Sequence, residues 1–247
     1  MASVQISNLH KTFYRKSGEP LQVLENLFIE ALDREFICLL GPSGCGKSTS
    51  LHILAGLVEP DSGEITIDGS ANYRDASYGY VFQRPRLLNW KTVADNILFA
   101  LQSYGIPRDQ HRARIDRYLS MVGLSAFADE YPLTLSGGMQ QRVAIARALA
   151  IEPDILLMDE PFSGLDELTA RSMRIELLKL WNQDRKTVLF VTHNALEAVF
   201  LADRIYLLTP RPARVFKMVE VSVPRPRDIE DERLLRLHKE IIKSLVS

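Results

Sequence analysis

The chain has 247 residues, 46% of them hydrophobic and 25% charged, the profile of a soluble globular protein with ample material for a core. Lysine plus arginine total 30 against 31 acidic residues, and a net charge of -1 gives no electrostatic basis for nonspecific nucleic-acid binding, so no nucleic-acid partner is expected. Cys38 and Cys45 are too few for a disulfide framework, no apolar run approaches the ~18 residues of a membrane span, and the opening residues lack a signal peptide's charged start and apolar stretch; the chain is expected to be soluble and unexported, reaching a membrane only through a partner.

In chain order, residues 3–9 alternate enough to predict a strand. Residues 64–68 (EITID) predict another, ended by the turn pair Asp68-Gly69. Three short apolar runs, 36–40, 155–158 and 188–191, suit parallel strands covered on both faces. Each leads into a helical pattern, at 47–57, 167–181 and 195–202, so the fold class is α/β. Between the first and second runs, helical patterns at 93–103, 108–122 and 139–150 predict an inserted helical segment over about 92–150. A tail from about 210 to 247 carries Leu234, Leu237, Ile241 and Leu245 at helical spacing, read as a packed terminal helix rather than a membrane anchor.

Gly41, Pro42, Ser43, Gly44, Cys45, Gly46, Lys47, Ser48 and Thr49 fit the pattern G-x-x-x-x-G-K-[ST]. Its glycines let successive backbone N–H groups turn inward around an anion, Lys47 adds a charge for the β- and γ-phosphates, and the following helix presents its positive end. The Ser48 hydroxyl is placed for magnesium. Cys45 needs only to be small here, with incidental sensitivity to oxidation. The run 155–160 (ILLMDE) is a buried strand ending in two carboxylates. Beside a phosphate loop, Asp159 suits the magnesium shell and Glu160 can polarise a water for attack on a γ-phosphate. Elsewhere such a pair is an ordinary solvated strand end.

Leu135-Ser-Gly-Gly-Met-Gln-Gln-Arg142 opens a helix with Ser136 as a natural N-cap. Gly137 and Gly138 leave its first N–H groups uncovered, which makes an anion site. This stretch resembles the LSGGQ signature of ABC transporter ATPases, with Met139 in place of the last Gln. The resemblance covers essentially the whole chain, and the motifs stand in the family's order. Gln83 in YVFQ is similar to the Q-loop, Asp166 in SGLD to the D-loop, and His193 to the switch histidine. Phe13 matches the adenine-stacking position, with Tyr14 as the alternative. Asn194 after the histidine, Asp33-Arg34 before Glu35, Gly164 and Ser50 depart from common family residues without removing a reacting group.

The resemblance implies a P-loop NTPase (RecA-like) core with an N-terminal antiparallel β subdomain and an inserted α-helical subdomain, forming one ATPase domain over 1–247. It implies ATP and Mg2+ as cofactors, with Ser48, Gln83 and Asp159 at the metal and Glu160, His193 and Gln83 in catalysis. It implies head-to-tail pairing with a second copy or a paralogous ATPase, so that Ser136, Gly137 and Gly138 of one copy meet ATP on the other's loop. The stretches 81–90 (VFQRPRLLNW) and 160–169 (EPFSGLDELT) are similar to the nitrate/sulfonate/taurine branch of importers, some of whose members serve thiamine precursors. That branch implies integral membrane permease subunits, an extracytoplasmic solute-binding protein, and a peripheral place on the cytoplasmic face of the membrane, with Leu87, Leu88 and Trp90 as candidate permease contacts. The space after the last strand is expected to hold no β-rich regulatory domain. Rival readings are a non-transport ABC ATPase of DNA repair or translation, an ATPase of another importer or exporter branch, a P-loop GTPase and a non-enzymatic ATP binder. The long coiled coils or tandem units of the first and the base-reading motif of a GTPase are not found. Intact Glu160 and His193 disfavour a passive binder.

Overall fold

A computed structural model describes residues 2–183 and 185–246. In chain order the elements are β1 (Val4–Tyr14), β2 (Pro20–Ala31), β3 (Phe36–Leu40), α1 (Lys47–Leu54), β4 (Ser62–Ile67), β5 (Tyr78–Val81), α2 (Val93–Ser103), α3 (Arg108–Met121) and α4 (Gly137–Ala150). They continue as β6 (Ile155–Asp159), α5 (Glu167–Gln183), β7 (Thr187–Thr192), α6 (Ala195–Leu201), β8 (Arg204–Leu208), β9 (Val215–Glu220) and α7 (Glu232–Val246). Two compact units result: the chain through Ala76 together with everything from Lys186 onward, and the chain from Ser77 to Arg185.

In the first unit, β1 lies between β2 and β4 in an antiparallel sheet. Val4, Ile6 and Leu9 are buried along β1, and the pairing with β2 slips between Ile6 and Leu9. Asn8 and Asn26, both at positive φ, stand at this irregularity, where Asn tolerates the left-handed backbone of a bulge. The unit's other strands run β7-β3-β8-β9, with β3 parallel to β7 and β8, and β9 antiparallel to β8. All five residues of β3 are buried, as a continuous apolar run covered on both faces requires. Phe36 and Phe190 pack at a centroid distance of 6.0 Å between β3 and β7.

The expected helices of this unit form, slightly shorter than their sequence patterns because the chain turns at Ala55 and Ala202. The tail is more than a helix. β9 extends the sheet beside β8, and α7 buries Leu234 and Ile241. β2, β5, β8 and β9 had no sequence expectation. The departure Asp33-Arg34 is explained: Arg34 takes φ 59, and its N–H donates to Thr187 Oγ1 at 2.9 Å.

In the second unit, β5 and β6 pair in parallel, and α2, α3 and α4 pack on one another. The patterns at 93–103 and 108–122 are helices as expected, and α4 begins two residues earlier than the pattern 139–150. Thr92 Oγ1 accepts from Asp95 N to cap α2, as Ser136 Oγ accepts from Met139 N to cap α4.

Arg227, 8% exposed, closes the C-terminal end of α6. Its Nη1 donates to the carbonyls of Val199, Phe200 and Ala202, its Nη2 to Val221 O and its Nε to Val223 O. A buried guanidinium is costly, and burial pulls its pKa down to about 10, with the Arg225 charge adding to the effect. The end of α6, where carbonyls lack helical partners, offsets that cost. Arg227→Met is therefore expected to lower the unfolding free energy by roughly 3 kcal/mol, read from the urea midpoint at unchanged slope. A loss below about 1 kcal/mol would mean that water serves those carbonyls equally well.

Candidate functional site

The first unit builds the phosphate loop. β3 ends at Leu40, the chain turns through Gly41–Gly46, and α1 starts at Lys47. Gly46 caps α1 at φ 132, a backbone that L side chains rarely adopt. A Cβ there would lie 2.9 Å from Leu24 Cδ2 and 3.0 Å from both Val23 Cγ1 and Val23 O. Only glycine fits, on both counts. Lys47 is 4% exposed, and its Nζ donates to Gly41 O at 2.9 Å and Pro42 O at 3.0 Å. Pro42, Ser43 and Gly44 are exposed, while Ser48 and Thr49 are half-buried in the first turn of α1. Arg211 Nε donates to Gly44 O at 3.0 Å from outside the loop.

Cys45 corrects an expectation. Its side chain is buried, and burial pushes the thiol pKa up against the opposing pull of Lys47. The thiolate is the reactive form, so this cysteine is protected rather than sensitive to oxidation. Ser50, another departure, is buried with its Oγ donating to Lys47 O at 2.6 Å, a hydroxyl satisfied within its own helix.

His193 follows β7 in a braced turn. Asn194 Oδ1 accepts from Leu196 N and Glu197 N to cap α6, Asn194 N donates to Thr192 Oγ1, and Thr192 Oγ1 donates to Glu197 Oε2. Asn194 thus serves as the cap. His193 shares a cavity of about 490 Å³ with Gly41 and Pro42, closed on another side by Phe216 and the end of α7. Phe13 lies in β1 with Lys11 Nζ 5.3 Å from its ring centroid. Asp61 steadies this strand, accepting from Lys11 Nζ and Thr12 N, and its hydrogen bond with Lys11 holds its carboxyl below the usual range. Phe13 is 38% exposed and Tyr14 76%.

The second unit gathers the remaining residues. β6 is buried along its length and ends at Asp159, 4% exposed. The next residue, Glu160, sits at φ 44, in the left-handed region. Ser163 fastens that turn, donating from N and Oγ to Glu160 O at 3.2 and 2.9 Å. Gln83 Nε2 donates to Glu160 Oε2 at 3.3 Å, so the two polar candidates meet. Asp166 Oδ1 accepts from Thr169 N at the start of α5, and the hydrogen bonds from Thr169 hold its exposed carboxyl below the usual range.

Ser136 and Gly137 are exposed and Gly138 is half-buried at the start of α4. A Cβ on Gly137 would meet nothing within 4 Å, whereas one on Gly138 would lie 3.2 Å from Leu165 Cδ2, next to Asp166. The first turn of α4 is therefore open on its Gly137 side, with N–H groups that have no acceptor within the helix. Trp90 is 75% exposed, and Leu87 and Leu88 are half-buried. Sequence reasoning passed over Asn96. It is fully buried, with Nδ2 donating to the carbonyls of Leu88, Lys91 and Thr92 and Oδ1 accepting from Leu88 N. A signal existed: Asn96 stands among the buried Val93, Ile97 and Leu101 of α2, and a buried amide needs partners.

Comparison with known proteins shows the family. The ABC transporter family profile matches residues 24–163, spanning the phosphate loop, Gln83, the Ser136 turn and the Asp159-Glu160 pair. An uncharacterized ABC transporter ATP-binding protein of Methanocaldococcus jannaschii is 44% identical over 98% of this chain and 91% of its own. A taurine import ATP-binding protein of Rhizobium johnstonii is 44% identical over 86% of this chain and 82% of its own. An aliphatic sulfonates import ATP-binding protein of Bacillus cereus is 38% identical over 98% of this chain and 95% of its own. Among solved structures, a dimeric post-hydrolysis state of an ATP-binding cassette bound to ADP and Pi superposes with a TM-score of 0.79 at 34% identity, covering 90% of this chain and 100% of that chain.

The geometry of the loop yields a prediction. Gly46→Ala is expected to weaken binding of a fluorescent ATP analogue at least tenfold, since both the backbone and the added Cβ displace the loop from α1. Wild-type affinity in a folded variant would show that the anion is held elsewhere.

Proposed function

The chain belongs to the family of ABC transporter ATP-binding proteins, and from that premise we propose that it is the ATP-hydrolysing subunit of a membrane importer for a small solute. The observation that carries this reading is the open Gly137 turn, where a Cβ built on Gly137 would meet nothing within 4 Å. Outward N–H groups aimed at an anion have little use on a lone chain. They are half of a site, and the Lys47 loop of a second copy, or of a paralogous ATPase, is the other half. Two copies pair head to tail with ATP between them, and loss of the γ-phosphate releases them.

In this reading the N–H groups of the loop 41–49 and Lys47 hold the phosphates. Phe13 stacks on the adenine, which carries little base selectivity because every base has a π-face. Ser136, Gly137 and Gly138 of the second copy close over the γ-phosphate, and Asp166 communicates across the pair. Glu160 takes the proton of the attacking water, Gln83 orients that water, and His193 contacts the γ-phosphate. The left-handed backbone of Glu160 supports its role, since strained conformations concentrate where a site over-determines them.

The Ser48 hydroxyl, the Gln83 amide oxygen and the Asp159 carboxylate are hard oxygen donors of the kind magnesium takes. Among the described residues no group of three or more His, Cys, Asp or Glu is placed to hold an ion, which fits a cation carried in on the nucleotide's phosphates. Bound there, magnesium would neutralise charge on the β- and γ-phosphates.

Within the proposed nitrate/sulfonate/taurine or thiamine-precursor class of cargo, the relatives named for taurine and aliphatic sulfonate import support the sulfonate type. No helix among the described residues is long and apolar enough to cross a membrane. The proposed path belongs to integral permease subunits, supplied by an extracytoplasmic solute-binding protein, with this chain peripheral on the cytoplasmic face. Exposed Trp90 is the proposed anchor for the permease.

Glu160→Gln is expected to keep ATP affinity while turnover falls roughly 10²–10⁴-fold, and to sediment as a dimer with ATP and a monomer without it. Near-wild-type turnover would remove Glu160 from catalysis, and an ATP-bound monomer at high concentration would count against the shared site. Phe13→Ala is expected to weaken ATP binding by about 5–100-fold and Tyr14→Ala to leave it nearly unchanged; the reverse ranking in a binding titration would move the stacking ring to Tyr14. A permease co-purifying from native membranes tests the transport role, and its absence would favour a non-transport ATPase.

A further inference from the structure

The segment Phe82–Arg86, which carries Gln83, belongs to no strand or helix. Its backbone is gripped instead by two side chains of α4 that have no part in the chemistry above. Gln141, 3% exposed, donates from Nε2 to Phe82 O at 3.2 Å. Arg147 donates from Nη2 to Pro85 O and from Nη1 to Arg86 O, both at 3.0 Å. The three acceptors flank Gln83 on both sides. The segment also closes on itself: Arg86, at φ 46, lays its guanidinium 4.4 Å from the Phe82 ring centroid, and Phe82 stacks on Tyr80 at 4.1 Å.

Arg147 is an expensive way to fill this position. Burial pulls its pKa down, and no carboxylate pairs with it among the described residues. A desolvated cation served by neutral carbonyls costs stability compared with an apolar side chain of similar length. What it adds is a rigid planar fork that holds two successive carbonyls from two separate nitrogens, a fixed geometry that the single ammonium of Lys does not impose and Met cannot supply. Its helix is also the one that starts at the Ser136 turn. At the rise of an α-helix, Arg147 stands about 15 Å along a rigid rod from Gly137.

We propose that Arg147 and Gln141 are positioning residues that fasten the Gln83 loop to the signature helix, so that the loop and the Ser136–Gly138 turn shift together. The inference rests on the reading of Gln83 and the signature turn given above and adds a mechanical link between them. Gln83 then stands over Glu160 only while α4 is in place, and a signature turn engaged on a second copy's nucleotide steadies Gln83 in its own copy. Nucleotide affinity at the Lys47 loop does not depend on the link.

Two measurements on the full-length chain test it. The first is hydrogen exchange without nucleotide, which reads the fastening itself. In Arg147→Met, amides of residues 82–88 are expected to exchange at least tenfold faster than in the wild type, with Arg147→Lys intermediate and the strands β5 and β6 unchanged. Unchanged exchange over 82–88 overturns the proposal whatever the kinetics show.

The second is a double-mutant cycle on ATPase rate with Gln83→Ala and Arg147→Met. Arg147→Met is expected to lower kcat about tenfold or more, with ATP affinity within about twofold of wild type. The double variant is expected to be no slower than Gln83→Ala alone. Effects that multiply, or a fall in ATP affinity matching the fall in kcat, overturn the link. A wild-type rate for Gln83→Ala alongside accelerated exchange in Arg147→Met would instead remove the catalytic reading of Gln83 and leave the fastening standing.

Discussion

A helix start can hold an anion only if its first N–H groups are left uncovered, and this chain meets that constraint twice by different means. At α1, Gly46 takes a backbone that L side chains rarely adopt, and a Cβ there would press on the surrounding Val23 and Leu24. At α4, Gly137 has room to spare, and a side chain would meet nothing. The first glycine shapes a cradle within its own unit. The second keeps a surface clear. That difference suits a cradle that binds phosphate by itself and a lid that closes on phosphate held by another molecule.

The chemistry proposed between these helix starts depends on backbone held in place from outside. Glu160 is kept in the left-handed region with its carbonyl tied by Ser163, and its carboxylate meets Gln83. Gln83 lies on a segment without regular structure, positioned by α4 side chains. His193 stands in a turn whose Thr192, Asn194 and Glu197 satisfy one another, with Arg227 closing the far end of the same helix. In each case hydrogen bonds from neighbouring residues fix the backbone that carries the reactive side chain. A site built in this way can respond to a ligand by small shifts of whole helices.

Much of this was legible in the residues alone. Continuous apolar runs gave β3, β6 and β7, because a strand covered on both faces has to be apolar throughout. Glycine spacing and the acidic strand end located the phosphate loop and Asp159-Glu160, since local backbone chemistry dictates both. β2 and β9 escaped because their exposed faces and bulged or edge pairing blur the alternation that marks a strand. Asn96, Arg147 and Arg227 escaped for another reason. Each is a polar residue whose partners are backbone carbonyls, and carbonyls are invisible in a sequence until the fold says which of them are left over. Cys45 was misjudged because its reactivity depends on burial, which the loop pattern does not reveal.

The most direct test of the shared site mixes two crippled chains. Lys47→Ala loses the charge on the cradle, and Gly137→Asp sets a carboxylate where the lid should meet phosphate; each alone is expected to hydrolyse ATP hardly at all. Combined, they form mixed pairs in which one intact cradle faces one intact lid, and ATPase activity should rise well above that of either chain alone. If the mixture stays as inactive as its components although mixed pairs form, cradle and lid do not act across two molecules.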